Sequence, residues 1–309
     1  MKSIFLAATL MIGLASTSVN AQTKSRAIDW HQKAQTKFIH VDGTRYAYRV
    51  LGNKTGIPLV LLQGSFFNMD EWDPKVTNGL AQSFKVIIFD NKGVGATGGK
   101  TPGSIGEMAK DAVSFIKALG YSKVNLMGFS MGGYMTQEIL LSNPELVNKV
   151  ILTSTGPKGA EGLSNLTDRL GEVSKKTPDD QLLYLLFTQS QKSQAAGKSF
   201  LQRIHQRTID RDLESTDESN GAQVAAVLAW AQPKPGTFDE LKTINHPTLV
   251  FEGHYDVLVP VINSYNLYQH IPNARLVLFP DAGHGAIFQY SDLFLAEAIP
   301  FLATENKGS

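Results

Sequence analysis

Residues Gly128-Phe129-Ser130-Met131-Gly132 form a G-x-S-x-G pattern, and a further glycine follows at Gly133. An apolar run, Val124–Met127, stands directly before the pattern and an apolar helical stretch directly after it. Strand, turn, helix is the context the pattern demands. The reason is steric. A serine on a tight, strained turn lifts its hydroxyl clear of the sheet, and side chains two residues to either side would strike the turn, so glycine stands there. The helix that opens here aims its N-terminal N–H groups and its dipole at the hydroxyl. The chemistry this arrangement serves is nucleophilic attack by Ser130. A serine hydroxyl is a weak nucleophile near neutral pH and needs a base.

The chain has seven histidines, and position narrows the choice. His284, in Asp281-Ala282-Gly283-His284-Gly285, follows the last predicted strand and precedes the final helix. Loops at the carboxyl ends of parallel strands are where such sheets gather reactive groups. His254 is the competitor. His31 and His40 precede the sheet, His205 lies in a helical insertion, His246 precedes Pro247 and His270 ends a helix. The orienting acid is expected on a loop between nucleophile and base. Asp256, in Glu252-Gly253-His254-Tyr255-Asp256, meets that condition, with Glu252 as the alternative closer to the strand. Its task is to accept the imidazole N–H, fix the tautomer and stabilise the imidazolium. Asp281 is too near His284 in the chain to be the partner. An oxyanion formed on the substrate needs two preorganised donors. One is the backbone N–H of Met131. The other is expected from the loop Gln63-Gly64-Ser65-Phe66-Phe67, with the N–H of Ser65 as candidate and that of Phe66 as the alternative.

The elements that must hold these residues are legible as alternating runs. Lys37–Val41 and Tyr46–Val50 flank Asp42-Gly43 and predict a hairpin. Pro58–Leu62, Lys85–Phe89, Val124–Met127, Lys149–Thr153 and Thr248–Phe251 are short apolar runs without alternation, as expected of strands buried on both faces, and Arg275–Phe279 is read as the last strand. Between them, helices are predicted from Ser104 (a capping box with Glu107) to Leu119, over Met131–Leu141, Val261–His270 and Ser291–Leu302. Strands alternating with helices imply an α/β fold with a mostly parallel sheet. From Lys158 to Glu240 only helical patterns occur, notably Leu182–Phe187 after the cap Thr177-Pro178, and Ala222–Trp230. The expected organisation is a core of residues 22–157 and 241–309, interrupted by a helical cap at 158–240.

Composition bounds the rest. With 309 residues, 42% hydrophobic and 18% charged, and a net charge of +1, the chain is ordinary for a globular protein, and nothing advertises nucleic acid as a partner. There is no cysteine, which removes disulfides, thiolate metal sites and a Cys nucleophile. Met1-Lys2, the apolar Ile4–Leu14 and Val19-Asn20-Ala21 read as a signal peptide over residues 1–21, so the chain is expected to be exported, to the periplasm or beyond. No later segment is long and apolar enough to span a membrane.

Taken with Gln63-Gly64, the turn Asp90-Asn91-Lys92-Gly93-Val94-Gly95, Asp256 and His284, the elbow at Gly128–Gly132 makes the chain resemble the α/β-hydrolase fold superfamily from Lys37 to Leu302. Within it the sequence is similar to the esterase, cofactor-free haloperoxidase and iminopeptidase-like enzymes that carry a helical cap. The resemblance implies a mostly parallel α/β-hydrolase sheet and a cofactor-free serine hydrolase acting on a small-molecule ester. Perhydrolysis, lactone opening and aminopeptidase action stay open on the same residues, as does a non-catalytic ligand receptor. An aminopeptidase would need carboxylates in the cap for the substrate amine, and Glu161, Asp168 and Glu172 are available. The family usually has His-Gly in the oxyanion loop, where the histidine braces the loop. This chain has Gln63-Gly64. Serine at the nucleophile position sets the chain apart from haloalkane dehalogenases and epoxide hydrolases, which use aspartate. Gly93-Val94-Gly95-Ala96-Thr97-Gly98 matches G-x-G-x-x-G, but Gly99 to Gly103 prevents a helix from opening there, so no dinucleotide site is expected. No pair of histidines has the helical spacing of a metal site.

Overall fold

The apolar runs that lack alternation assemble into one sheet covered on both faces. The computed structural model describes residues 28–304, and the predicted leader lies outside them. A hairpin, β1 (Lys37–Val41) and β2 (Thr44–Leu51), turns on Asp42-Gly43, both at positive φ as a tight hairpin turn requires. Then come β3 (Leu59–Leu62), β4 (Val86–Phe89), β5 (Val124–Phe129), β6 (Val147–Thr153), β7 (Thr248–Gly253) and β8 (Ala274–Phe279). The spatial order is β1-β2-β4-β3-β5-β6-β7-β8. β2 runs antiparallel to β1 and β4, and every pairing from β4 to β8 is parallel.

Burial follows that order. All residues of β3, β4, β5 and β7 are buried, whereas the edge strand β8 is only partly covered. Along β3 the pleat sends Val60 and Leu62 to one core and Leu59 and Leu61 to the other. The first core is closed by α3 (Ile105–Ala118) and α4 (Met131–Ser142), through Phe115, Ile116, Met135 and Ile139. The second is closed by α2 (Pro74–Ala81), α11 (Ala286–Gln289) and α12 (Ser291–Ala303), through Val76, Leu80, Phe288 and Phe294. A short α1 (Trp30–Lys33) lies against α2, and α10 (Ile262–His270) packs beside β7 and β8. Removing one of these fully buried side chains is expected to destabilise the fold by roughly 2–5 kcal/mol.

Several boundaries differ from the sequence expectation. β5 runs on to Phe129, because the strand leads into the serine turn without a break. Ser104 caps α3 by accepting from the Glu107 amide (3.3 Å), but its hydroxyl then donates to the Glu107 carboxylate instead of completing the box through the backbone. A full capping box occurs instead at Asn68 and Glu71. Between β6 and β7 the described residues hold helices and no strand: α5 (Leu166–Val173), α6 (Pro178–Leu186), α7 (Gln191–Ile204), α8 (Asp217–Trp230) and α9 (Thr237–Lys242). Among the described residues no helix is long and apolar enough to cross a membrane.

The register brings the carboxyl ends of five strands into one row. Leu62 pairs with Gly128, Phe129 with Thr153, Thr153 with Phe251 and Gly253 with Phe279. The loops that leave this row carry Ser65, Ser130, Ser154, Asp256 and His284.

Candidate active site

Ser130 sits between β5 and α4 with φ 53° and ψ −119°. Such backbone costs a non-glycine residue about 1–3 kcal/mol and persists only where its surroundings dictate it. The Ser130 amide donates to the Thr153 carbonyl (2.9 Å), and the Ser130 carbonyl accepts from the Gly133 amide (2.8 Å) and Thr155 Oγ1 (2.9 Å). The glycines are needed for the steric reason inferred from sequence. A Cβ on Gly128 would strike the Gly132 carbonyl and Thr136, and one on Gly132 would strike the carbonyls of Leu62 and Gln63.

His284 follows β8 and is buried. Its Nδ1 lies 2.6 Å from Asp256 Oδ2. The second carboxylate oxygen of Asp256 accepts from the amides of Leu258 (2.8 Å) and Val259 (2.9 Å), so the acid is clamped by backbone on one side and meets the imidazole on the other. A carboxylate only accepts, so Nδ1 carries the proton and Nε2 keeps a free lone pair. The His284 carbonyl accepts from Ser154 Oγ (2.7 Å), itself a strained residue at φ 50°. The Phe129 ring packs on the imidazole, 5.1 Å between centroids.

The competitors go elsewhere. His254 packs its ring edge-on against Tyr255 at 4.5 Å. Asp281 accepts from Thr188 (2.7 Å) and Ser190 (2.6 Å), tying its loop to the helical segment. Glu252 is fully buried, accepts from Ser264 Oγ (2.9 Å) and the Gly253 amide (2.8 Å), and touches Asp256 rather than a histidine. Burial first, and the neighbouring Asp256 charge second, push its carboxyl well above the ordinary range. Of the two forms of Glu252, the ionised one is therefore disfavoured in this buried corner beside Asp256. Tyr134, one turn into α4, feels the same burial and the same two acids, and its phenol is raised as well.

Ser130, His284, Ser65, Phe66 and Tyr134 line one cavity of about 350 Å³. Leu163, Leu166 and Leu170 at α5, Leu182, Leu185 and Leu186 of α6, and Val227 of α8 give it an apolar wall. Asn68, Glu71, Arg211, Glu214 and Asn220 also border it. The carboxylates considered for an amine site do not. Leu166 and Leu170 occupy the inward stripe of α5, while Glu172 bonds Tyr184 (2.7 Å) and Arg169 at the surface, and neither Glu161 nor Asp168 borders the cavity. Glu71, Asp179 and Glu214 are the acidic residues that border this space, and burial raises Glu71 to about 7.

Of the two oxyanion-loop amides, Phe66 N–H donates to Gln223 Oε1 (3.0 Å), whereas Ser65 N–H has no acceptor residue among those described. Ser65 Oγ approaches Met131 Sδ at 3.3 Å, which links the two positions expected from sequence to supply donors. The Gly93–Gly98 stretch is a turn closed by Gly93 N to the Gly98 carbonyl (3.1 Å), and α3 opens only at Ile105, as expected of a structural turn. Sequence reasoning passed over Glu71, Tyr134 and Gln223. A lone glutamine on the apolar face of α8 was the available signal for the last.

An antiparallel hairpin leading a parallel sheet, a serine elbow after its central strand and an Asp–His pair on the following loops define a class of protein. Residues 57–289 match the family model described as alpha/beta hydrolase fold. A solved structure, an alpha/beta hydrolase fold protein from Chitinophaga pinensis, is 38% identical, with a TM-score of 0.86 over 89% of this chain and 99% of that one. The 2-hydroxy-6-oxo-6-phenylhexa-2,4-dienoate hydrolase of Burkholderia cepacia is 28% identical over 93% of this chain and 99% of that protein. A pimeloyl-(acyl-carrier protein) methyl ester esterase of Nitrosomonas europaea is 26% identical over 84% of this chain and 97% of its own. The chain belongs to the alpha/beta hydrolase fold family and is one of its hydrolases.

Proposed function

We propose that the protein hydrolyses a small or medium carboxylic ester with an apolar acyl or alcohol part, through an acyl-enzyme on Ser130, beneath a cap formed by residues 158–240. The observation that carries this reading is the 2.6 Å contact between His284 Nδ1 and Asp256 Oδ2, set beside a strained serine that opens into the same cavity. Ser130 Oγ attacks the ester carbonyl carbon while its proton passes to His284 Nε2. The N–H groups of Ser65 and Met131 hold the oxyanion. The C–O bond to the alcohol then breaks, and His284 returns the proton to the departing oxygen. Water enters, gives its proton to His284 and attacks the acyl carbon, and the acid leaves with Ser130 restored. Asp256 accepts the hydrogen bond from Nδ1–H throughout and is not itself protonated. Among the described residues Ser130 Oγ bonds to no other residue. Hydroxyl–imidazole contacts are commonly long in resting sites and tighten in the transition state.

The apolar wall supports an apolar substrate, and the kinship with a methyl ester esterase supports an ester. The test is fluorophosphonate labelling of the protein beside Ser130→Ala and His284→Ala, followed by a panel of p-nitrophenyl esters of increasing acyl length. Labelling is expected in the wild type, absent in Ser130→Ala and sharply slowed in His284→Ala. A wild type that neither labels nor turns over any ester would end this reading.

A further inference from the structure

We propose that Gln223 of α8 is the positioning residue for the oxyanion loop, so that the cap itself braces the donor which the family usually braces with a histidine in that loop. The inference rests on the reading of Ser130 as nucleophile and of the Ser65 and Met131 N–H groups as its oxyanion donors.

The position that would supply the brace does not. Gln63 is buried, and neither its Oε1 nor its Nε2 bonds to another residue among those described. The loop nevertheless holds a shape that needs support, because Phe66 stands at φ 72°. A bulky side chain in that region is a strained state, kept only when neighbours fix it. Those neighbours come from one place. Phe66 N–H donates to Gln223 Oε1 (3.0 Å), the Phe66 carbonyl accepts from Ser215 Oγ (3.4 Å), and Asn68 Nδ2 donates to the Leu213 carbonyl (2.9 Å). All three partners lie in residues 213–223.

Gln223 is itself held. It is buried, and its Nε2 donates to Ser219 Oγ (3.1 Å), which lies 2.7 Å from Thr101 Oγ1. Thr101 Oγ1 in turn donates to the Lys92 carbonyl (3.0 Å) in the turn after β4. The proton order is therefore fixed along the chain. Thr101 gives its hydrogen to Lys92, Ser219 gives its own to Thr101, and Gln223 gives Nε2–H to Ser219, which leaves Oε1 to accept from Phe66. A flipped amide would set two donors against each other. With Phe66 N–H spoken for, Ser65 N–H is left for the cavity. The same glutamine that fixes the loop thus decides which of two adjacent amides can meet an oxyanion.

The step is geometric. Losing one oxyanion donor outright lowers kcat by about 10²–10³-fold, and a displacement near 1 Å costs up to roughly 10²-fold. Gln223→Met keeps length and bulk but removes the acceptor. It is expected to lower kcat about 10- to 100-fold with KM little changed, and to slow fluorophosphonate labelling by a similar factor. Gln223→Glu restores an acceptor at the same reach, and in its protonated form, which burial favours, its O–H donates to Ser219 in place of Nε2–H. It is expected to recover most of kcat. A merely structural role would lower Tm in both variants and leave kcat per folded molecule unchanged, and that result overturns the proposal. Equal loss in the Met and Glu variants overturns it too, since the acceptor would then be irrelevant. Should Gln223→Met fail to fold, Ser219→Ala loosens the amide without emptying the site. A several-fold fall in kcat is expected there, and no fall overturns the inference. The parent reading fails in a different way: the wild type itself would not label at Ser130, before any change at Gln223.

Discussion

The arrangement around Asp256 makes a sharp statement about protons. Its Oδ1 is committed to the Leu258 and Val259 amides, so only Oδ2 is free to face His284. In Asp256→Asn the two amides retain the oxygen, and the NH2 group is turned toward Nδ1. The imidazole must then accept there and carry its proton on Nε2, where it can no longer act as base. The expected result is a fall in kcat of about 10⁴-fold with little change in KM or Tm, measured by steady-state ester hydrolysis and thermal unfolding of the same preparation. A fall of less than tenfold would mean that His284 takes its orientation from some other group. At this scale the sequence was unusually readable. Ser130, His284 and Asp256 stand in short glycine-bounded motifs whose spacing follows from steric need. Glu252 was readable only as a rival acid, because its role depends on the depth at which both carboxyls lie. Gln223 was out of reach for another reason. Its partner Phe66 is brought to it by tertiary packing, and no spacing in the chain records that contact.

At the level of elements, α4 does two jobs at once. It carries the Met131 N–H proposed as an oxyanion donor, and it presses its first turn directly on the end of β3. Gly132 is where the two backbones meet, since a Cβ there would reach the carbonyls of Leu62 and Gln63. Gly132→Ala must therefore push α4 from the sheet or displace the loop that carries Ser65. It is expected to lower stability by roughly 1–3 kcal/mol and to slow fluorophosphonate labelling even in the folded fraction. Normal stability and normal labelling together would show that the loop has slack. The elements were legible where burial on both faces erased alternation, which is why the parallel strands stood out. They were less so where two faces compete. In α5, Leu166 and Leu170 share one stripe, and Asp168 and Glu172 share another at the same spacing. Only the packed structure shows that the leucines face the cavity. The helices α2 and α7 escaped notice among polar residues, although Asp73-Pro74 is an ordinary helix start.

Across the whole molecule, several ionisable groups are buried without full compensation, and they tie stability to pH in opposite directions. Glu71 is raised from 4.5 to about 7, first by burial. The folded protein then binds a proton that the unfolded chain has lost, between those two values. Its contribution is complete below 4.5 and disappears as pH climbs through 7. Burial likewise raises Glu252 and Asp90, the latter helped by its neighbour Asp212, so their contributions also fade with rising pH. His31 works the other way. Burial lowers it from 6.5 to about 4, so its contribution is complete above 6.5 and is lost as pH falls through 4. Glu71→Gln keeps an acceptor for the Asn68 amide but cannot ionise. Relative to the wild type, it is expected to gain stability steadily from pH 4.5 to 7 and no further above that, by a total on the order of 3 kcal/mol. His31→Gln should diverge from the wild type across a lower window, gaining stability relative to it as pH falls from 6.5 to 4, because only the wild type loses the His31 contribution there. Urea midpoints of the three proteins at closely spaced pH values read both slopes. A Glu71→Gln difference that stays flat from pH 4.5 to 7 would mean that this carboxyl ionises in the cavity as freely as it does in water.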